Sequence, residues 1–251
     1  MSRFFEPFEN INESDGIINF SRDNANHLTV LRHSKGDIIT VCDGAGIDYE
    51  CEIQLISKND AVVSILRRKK CESEPDFKIT LFQALPKSDK MELIIQKSIE
   101  LGVHKIIPVV THNTVVRIKN NVNTKIQRYM KISETAAKQC NRGIIPNISS
   151  PVEFDTAIHM LAKKEASFVA YENAKLDSGI NLMNIEADEI GIFIGPEGGF
   201  TAEEVEKCVL SKIKPVSLGK RILRTETAGI AALSTIVYSK EYRYALKKGD
   251  M

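Results

Sequence analysis

Residues 189–206, EIGIFIGPEGGFTAEEVE, run an apolar β-branched segment into Gly-Pro-Glu-Gly-Gly and then into a helix start. Gly195, Gly198 and Gly199 can take positive φ and expose backbone groups to a ligand with no Cβ in the way, while Pro196 stiffens the turn. A plain strand-to-helix turn needs one glycine, so three of them around Glu197 point to a binding loop. Thr201 followed by Glu204 has the spacing of a capping box and starts the helix at Phe200 or Thr201. The lone carboxylate repels phosphates, which suits a ligand bearing amines, hydroxyls or a positive charge. No G-x-x-x-x-G-K-[ST] is present, and no G-x-G-x-x-G opens a helix after a first strand, which argues against a P-loop or a Rossmann dinucleotide site.

A second constellation lies at residues 215–238, PVSLGKRILRTETAGIAALSTIVY. A short strand ends at Gly219, a cationic loop carries Lys220, Arg221 and Arg224, and Thr225 is placed to cap a helix. The small residues Ala228, Gly229, Ala231, Ala232 and Ser234 fit either a buried helix or one packed against a loop or a second subunit. No metal set accompanies these loops. The five cysteines (Cys42, Cys51, Cys71, Cys140, Cys208) form no C-x-x-C pair, and the five histidines (His27, His33, His104, His112, His159) show no ligand spacing. Odd, scattered cysteines fit a reducing cytoplasm.

Two segments of different rhythm must position these loops. Residues 1–70 hold short β-rich runs (GIINF, DIITVCDG, YECEIQLIS, AVVSILRR) between Gly, Asn and Asp turns, the pattern of a small barrel or sandwich. Residues 71–77 are polar, contain Pro75 and read as a linker. From 78 to 251 apolar strands alternate with helical patterns, which predicts a parallel sheet flanked by helices with ligands at the carboxyl ends of its strands. In the first of these helices Leu93, Ile94, Ile99 and Leu101 recur near helical spacing and Gly102 stops it. No apolar stretch is long enough to cross a membrane as a helix. The formal net charge of +1 hides an asymmetry: residues 78–142 carry 12 Lys+Arg against 4 Asp+Glu, a cationic segment suited to a polyanionic partner.

IGPEGGFTAEEVE with LGKRILRTETAGIAAL resembles the paired signature of the RsmE family, uridine N3-methyltransferases of small-subunit ribosomal RNA in the SPOUT class. RFF, HLTVLRHSKGD, ALPKSDKMELIIQKSIELGV and ETAAKQCNR are supporting matches, and the resemblance covers nearly the whole chain. It implies a PUA-like β-barrel that binds RNA, joined to an α/β domain with a trefoil knot, a homodimeric state, and S-adenosylmethionine as methyl donor. The family often has Gly where this chain has Ser88 and Asn141.

Carried onto this chain, the resemblance puts the cofactor against Ile194, Gly195, Glu197, Gly198 and Gly199 of the first loop. Leu218, Gly219, Ile222, Leu223, Thr225, Thr227 and Ala228 follow from the second, with Glu172 at a third strand end. N3 of uracil is a poor nucleophile until its proton leaves, so the reaction needs orientation, a proton acceptor and stabilisation of charge on the uracil oxygens. Arg224 suits the last task, and either Glu197 or Glu226 can accept the proton. Expected RNA contacts are Arg3, His27 and Arg32 in the barrel and Lys87, Lys90, Lys97 and Arg142 in the cationic segment. The partner is then 16S ribosomal RNA, in a small subunit or its precursor. A non-catalytic RNA-binding assembly factor with the same fold is the alternative, disfavoured by the two intact loops.

Overall fold

The computed structural model describes residues 2–115, 122–175 and 181–248. The stretch 116–121, with Arg117 and Lys119 of the cationic segment, lies outside them. The chain divides into two compact units: Met1–Glu74 with Ala137–Ile145, and Pro75–Ala136 with Pro146–Met251. The first split falls inside 71–77, and Ala137–Ile145, which the sequence pattern groups with the second domain, belongs to the first unit.

The first unit is a six-stranded sheet built from β1 (Arg3–Phe5), β2 (Ile11–Asn12), β3 (Ile17–Asn19), β4 (Ile38–Cys42), β5 (Ile47–Ile56) and β6 (Ala61–Lys70), in the order β1-β4-β5-β6-β3-β2. It is a curled half-barrel whose outermost strands are β1 and β2. β5 alternates buried and half-buried residues, as a strand with one face on a core does. Phe4, Ile18, Leu28, Ile39, Tyr49 and Ile53 fill that core. Leu28 comes from helix α1 (Arg22–Val30), an element that the alternating pattern around it does not signal.

Glu74 and Arg142 tie the returning segment 137–145 into this unit. Arg142 Nη2 donates to Glu74 Oε2 at 2.7 Å, and Glu74 Oε1 accepts from the Gly143 and Ile144 amides at 2.8 and 3.0 Å. Asn141, at the turn into this segment, has φ 59. That left-handed conformation is one glycine adopts freely and Asn tolerates.

The second unit carries a parallel sheet formed by β7 (Lys78–Ala84), β8 (Lys105–Val110), β9 (Asn147–Ile148), β10 (Val152–Glu153), β11 (Ala166–Ala170), β12 (Glu189–Ile194) and β13 (Lys214–Val216). Its order is β10-β8-β7-β12-β11-β13, with β9 also paired to β8. β7 and β12 are central, and all but one residue of each is buried, which is why they read as continuous apolar runs. Helices α2 (Lys90–Glu100), α3 (Val122–Gln139), α4 (Phe154–Leu161), α5 (Ala202–Leu210) and α6 (Thr225–Lys248) complete the unit. The buried stripe of α2 is Met91, Ile94, Ile95 and Ile99, whereas Leu93 of the expected stripe is 43% exposed. Gly102, at φ +86, ends it. Ala228, Gly229 and Ala232 are buried on α6, and a Cβ on Gly229 would sit 3.4 Å from Gln83 Oε1 and 4.0 Å from Ile194. These small residues serve close approach within one chain, while Ser234 is exposed.

Candidate functional site

Three adjacent strands, β12, β11 and β13, end on the same side of the sheet, and the loops that follow them enclose a cavity of about 480 Å³. That is the size of a site that buries a small ligand, at the sheet edge where open parallel sheets bind ligands.

The glycine loop is shaped first by its own chain. A Cβ on Gly195 would lie 3.1 Å from the Phe200 ring, and one on Gly198 would lie 3.1 Å from Asn113 Cβ. Phe200 in turn packs edge-on against Phe193 at 4.8 Å. Asn113, which follows β8, donates from Nδ2 to the carbonyls of Gly198 and Gly199 at 3.1 Å each. Gly199 has φ +66 and the Glu172 carboxylate 3.3 Å from where its Cβ would stand. The side-chain space at 195 and 198 is therefore taken by Phe200 and Asn113, correcting the expectation that it is left open for a ligand. Gly219 alone of the loop glycines faces open space, at φ +121.

Beyond the loop, Thr201 accepts from the Glu204 amide at 3.2 Å and Glu204 Oε2 accepts from the Thr201 amide at 2.9 Å, the reciprocal pair expected for α5. Glu204 Oε1 also accepts from the His112 amide at 2.9 Å. That third bond ties the β8 loop to the same helix start.

Thr225 joins the two loops. Its hydroxyl donates to the Gly195 carbonyl at 2.6 Å and accepts from Gln83 Nε2 at 2.9 Å. The side chain is thus a bridge rather than the helix cap its position suggested. Gln83 is fully buried, and its Oε1 has no hydrogen-bond partner.

The charged wall centres on Lys90. Its Nζ donates to Glu197 Oε1 at 2.9 Å and stands 3.4 Å from Glu226 Oε2. The Lys87 amide adds a bond to Glu197 Oε1 at 3.1 Å. Partial burial alone would raise the Glu197 pKa, but the Lys90 and backbone hydrogen bonds outweigh it and hold the carboxyl below its ordinary value. The Glu197 hydrogen bond correspondingly draws the Lys90 ammonium up.

The cavity wall brings together Glu172, Ile194, Gly195, Glu197, Gly198 and Gly199. From the other side come Leu218, Gly219, Leu223, Arg224, Thr225 and Ala228, with Ile222 at the rim. Thr227 points to solvent outside this lining, and Glu226 meets the site through Lys90.

The expected RNA contacts need more revision. Arg3 is a buried partner of Asp48, with Nη1–Oδ1 and Nη2–Oδ2 both 2.7 Å, and Arg142 is 3% exposed against Glu74. Neither presents a charge to solvent. Lys90 belongs to the cavity wall, and Lys97 is paired with Glu100 at 2.8 Å. Lys87, Arg32 and His27 are exposed. Sequence reading missed Asn113, Gln83, Phe200 and Tyr171, the last of which also lines the cavity. Only Phe200, adjoining the glycines, carried a local signal.

An RNA methyltransferase domain matches residues 72–237 and an RNA methyltransferase PUA domain matches residues 20–66. The chain is 33% identical over 230 residues to the ribosomal RNA small subunit methyltransferase E of Bacillus subtilis, covering 89% of this chain and 88% of that one. Its similarity to the Mesomycoplasma hyopneumoniae protein of the same name is 30% over 214 residues, covering 84% and 90%. The crystal structure of the Neisseria gonorrhoeae ribosomal RNA small subunit methyltransferase E bound to S-adenosyl methionine superposes with a TM-score of 0.82 at 30% identity, over 94% of this chain and 96% of that one. Among the described residues no helix is long and apolar enough to cross a membrane, and no His, Cys, Asp and Glu group is placed to hold a metal. With its half-barrel, its parallel α/β domain and the cavity at the strand ends, this chain belongs to the ribosomal RNA small subunit methyltransferase E family.

Proposed function

We propose that this chain transfers a methyl group from S-adenosylmethionine to N3 of one uridine in 16S ribosomal RNA, within a small subunit or its precursor, as a cytoplasmic homodimer. The observation that carries this reading is the cavity itself, formed by the GPEGG and LGKRILRT loops and locked by the Thr225–Gly195 bond.

The residues present fit the donor. A volume of about 480 Å³ accommodates a ligand of that size. Glu172 offers a carboxylate to hydroxyls, an amine or a positive charge, and the Gly219 backbone faces open space. When bound, S-adenosylmethionine supplies a methyl group already activated on a sulfonium.

The chain's own residues supply the rest. Both oxygens of Glu197 are engaged by the Lys87 amide, and Oε1 also by Lys90, so this carboxylate holds the loop. Glu226 Oε2 accepts no hydrogen bond but is buried and faces Lys90 Nζ at 3.4 Å, so either Glu197 or Glu226 can accept the N3 proton. Arg224 is exposed at the cavity with no ion-pair partner among the described residues, suited to charge building on the uracil oxygens. His27, Arg32 and Lys87 remain candidates for phosphate contacts. The homodimer is supported by an exposed aromatic pair on α6, Tyr238 and Tyr242, whose rings stack at 6.2 Å. Light scattering at the mass of one chain, 28.0 kDa, would remove that element.

The decisive experiment has two arms. Calorimetry in metal-free buffer is expected to show S-adenosylmethionine binding, and mass spectrometry of ribosomal RNA from cells lacking the chain is expected to show one methyluridine lost and restored by the wild-type gene. Arg224→Ala is expected to bind cofactor within a few-fold of wild type while turning over about 100-fold more slowly. Unchanged ribosomal RNA methylation in the deletion strain would overturn the function.

A further inference from the structure

Ile222 is the most exposed large apolar side chain among the described residues, at 88%. A single exposed hydrophobe is ordinary. Its setting is not: Ile222 stands at the rim of the cavity in the irregular loop after β13, flanked by Lys220, Arg221 and Arg224, all exposed. Among the described residues none of these three cations has an ion-pair partner. Several other cations of the same unit are paired: Lys97 with Glu100, Arg128 with Glu92, Lys164 with Glu189, Lys207 with Asp155 and Lys240 with Asp188. The mouth of the cavity therefore presents an apolar tip among three uncompensated positive charges.

That combination has a specific complement in RNA. N3 lies on the pairing edge of uracil, so the base must leave its stack before it can enter the cavity. A vacated stack is an apolar gap between two bases, bordered by the phosphates of the flanking nucleotides. We propose, resting on the RNA reading above, that Ile222 is a wedge that enters the stack as the target uridine leaves it, while Lys220 and Arg221 hold the flanking phosphates and Arg224 stays with the uracil oxygens. Ile222, at the rim of the cavity, is then a positioning residue for the RNA.

The test uses the full chain and two synthetic RNAs centred on the uridine mapped above: the native sequence, and the same sequence with abasic residues on both sides of the target. The abasic RNA keeps every phosphate but has no stack to enter. Ile222→Ala is expected to lower kcat/KM on the native RNA by about tenfold or more, because re-stacking of the target is no longer opposed. On the abasic RNA it is expected to match wild type within about twofold, since no gap needs filling. Ile222→Leu is expected to retain most of the native activity, and S-adenosylmethionine affinity is expected to stay within about threefold in both variants, because a side chain 88% exposed at the rim buries little area against a ligand in the cavity.

The wedge is overturned by an equal loss on both RNAs, by no loss on either, or by collapse of cofactor affinity. It is also overturned if Ile222→Ala converts a dimer to a monomer in light scattering, because a second copy would then cover this tip. Wild-type protein that binds cofactor but methylates neither RNA, nor small subunits from the deletion strain, sinks the RNA reading itself; methylation of those subunits with none on the native synthetic RNA overturns the wedge alone, since a stack and its phosphates are then not what the loop recognises.

Discussion

Thr225→Val removes a hydroxyl and little else, and the structure states what that hydroxyl holds. Thr225 is 4% exposed, donates to Gly195 O at 2.6 Å and accepts from Gln83 Nε2 at 2.9 Å. After the change Gln83 keeps only its 3.0 Å bond to the Ala84 carbonyl, with its Oε1 already unpartnered in a fully buried position. A buried polar group left unsatisfied costs about 1–3 kcal/mol. Gly195 is half-buried, so water can partly replace its lost donor, and the two losses together come to about 2–4 kcal/mol. At this chain length each kcal/mol lowers the melting temperature by roughly 2–4 °C. Thermal and urea unfolding measure the stability loss, and calorimetric titration with S-adenosylmethionine measures whether the untied loops still form a site. Thr225→Ser should lose under about 1 kcal/mol, because the hydroxyl remains. Gln83→Leu combined with Thr225→Val should recover about 1 kcal/mol of the loss, since the orphaned amide is gone. A Thr225→Val protein equal to wild type in stability and affinity, or strictly additive losses in the double variant, would refute the bridge.

Other consequences follow from the same geometry. Glu74→Ala leaves Arg142 buried without its carboxylate and is expected to lower stability in urea by roughly 3–5 kcal/mol. Lys90→Met removes the cation that holds Glu197 ionised, so the Glu197 pKa rises and any ligand affinity that needs the carboxylate is lost at a higher pH on acidification; a pH series of calorimetric titrations should show that acid limb moved upward, and an unmoved limb would separate Glu197 from binding. Ser88, at φ 58, adopts a conformation that glycine enters freely, and Ser88→Gly should gain about 0.5–1 kcal/mol in thermal unfolding after the glycine's own entropy cost. Burial pushes the thiols of Cys42, Cys51 and Cys208 up to about 12, so at pH 8 iodoacetamide should leave them unlabelled by mass spectrometry until the chain is unfolded.

What the sequence determined by itself is local. The Thr201 and Glu204 pair builds its capping box from residues three apart, and β7 and β12 announce their burial because a central parallel strand has an apolar residue on both faces. The position of the cavity followed too, because glycines after a strand of a parallel sheet stand at its carboxyl end. Ser88 and Asn141 were visible as departures from glycine, though their φ values of 58 and 59 were not.

Tertiary structure decided which of these residues remain available. Arg142 finds Glu74 across 68 residues, Arg3 finds Asp48 across 45, and Thr225 finds Gly195 across 30. A helix cap or a turn depends on neighbours within about four residues, which the sequence displays directly. An ion pair depends on where the chain returns, and each pairing removes a charge from the count that a linear reading assigns to a partner. That is why the cationic segment surrendered Lys90 and Arg142 to distant carboxylates, while Lys220, Arg221 and Arg224, already visible as a cationic loop in the sequence, stand at the mouth of the cavity with no ion-pair partner among the described residues.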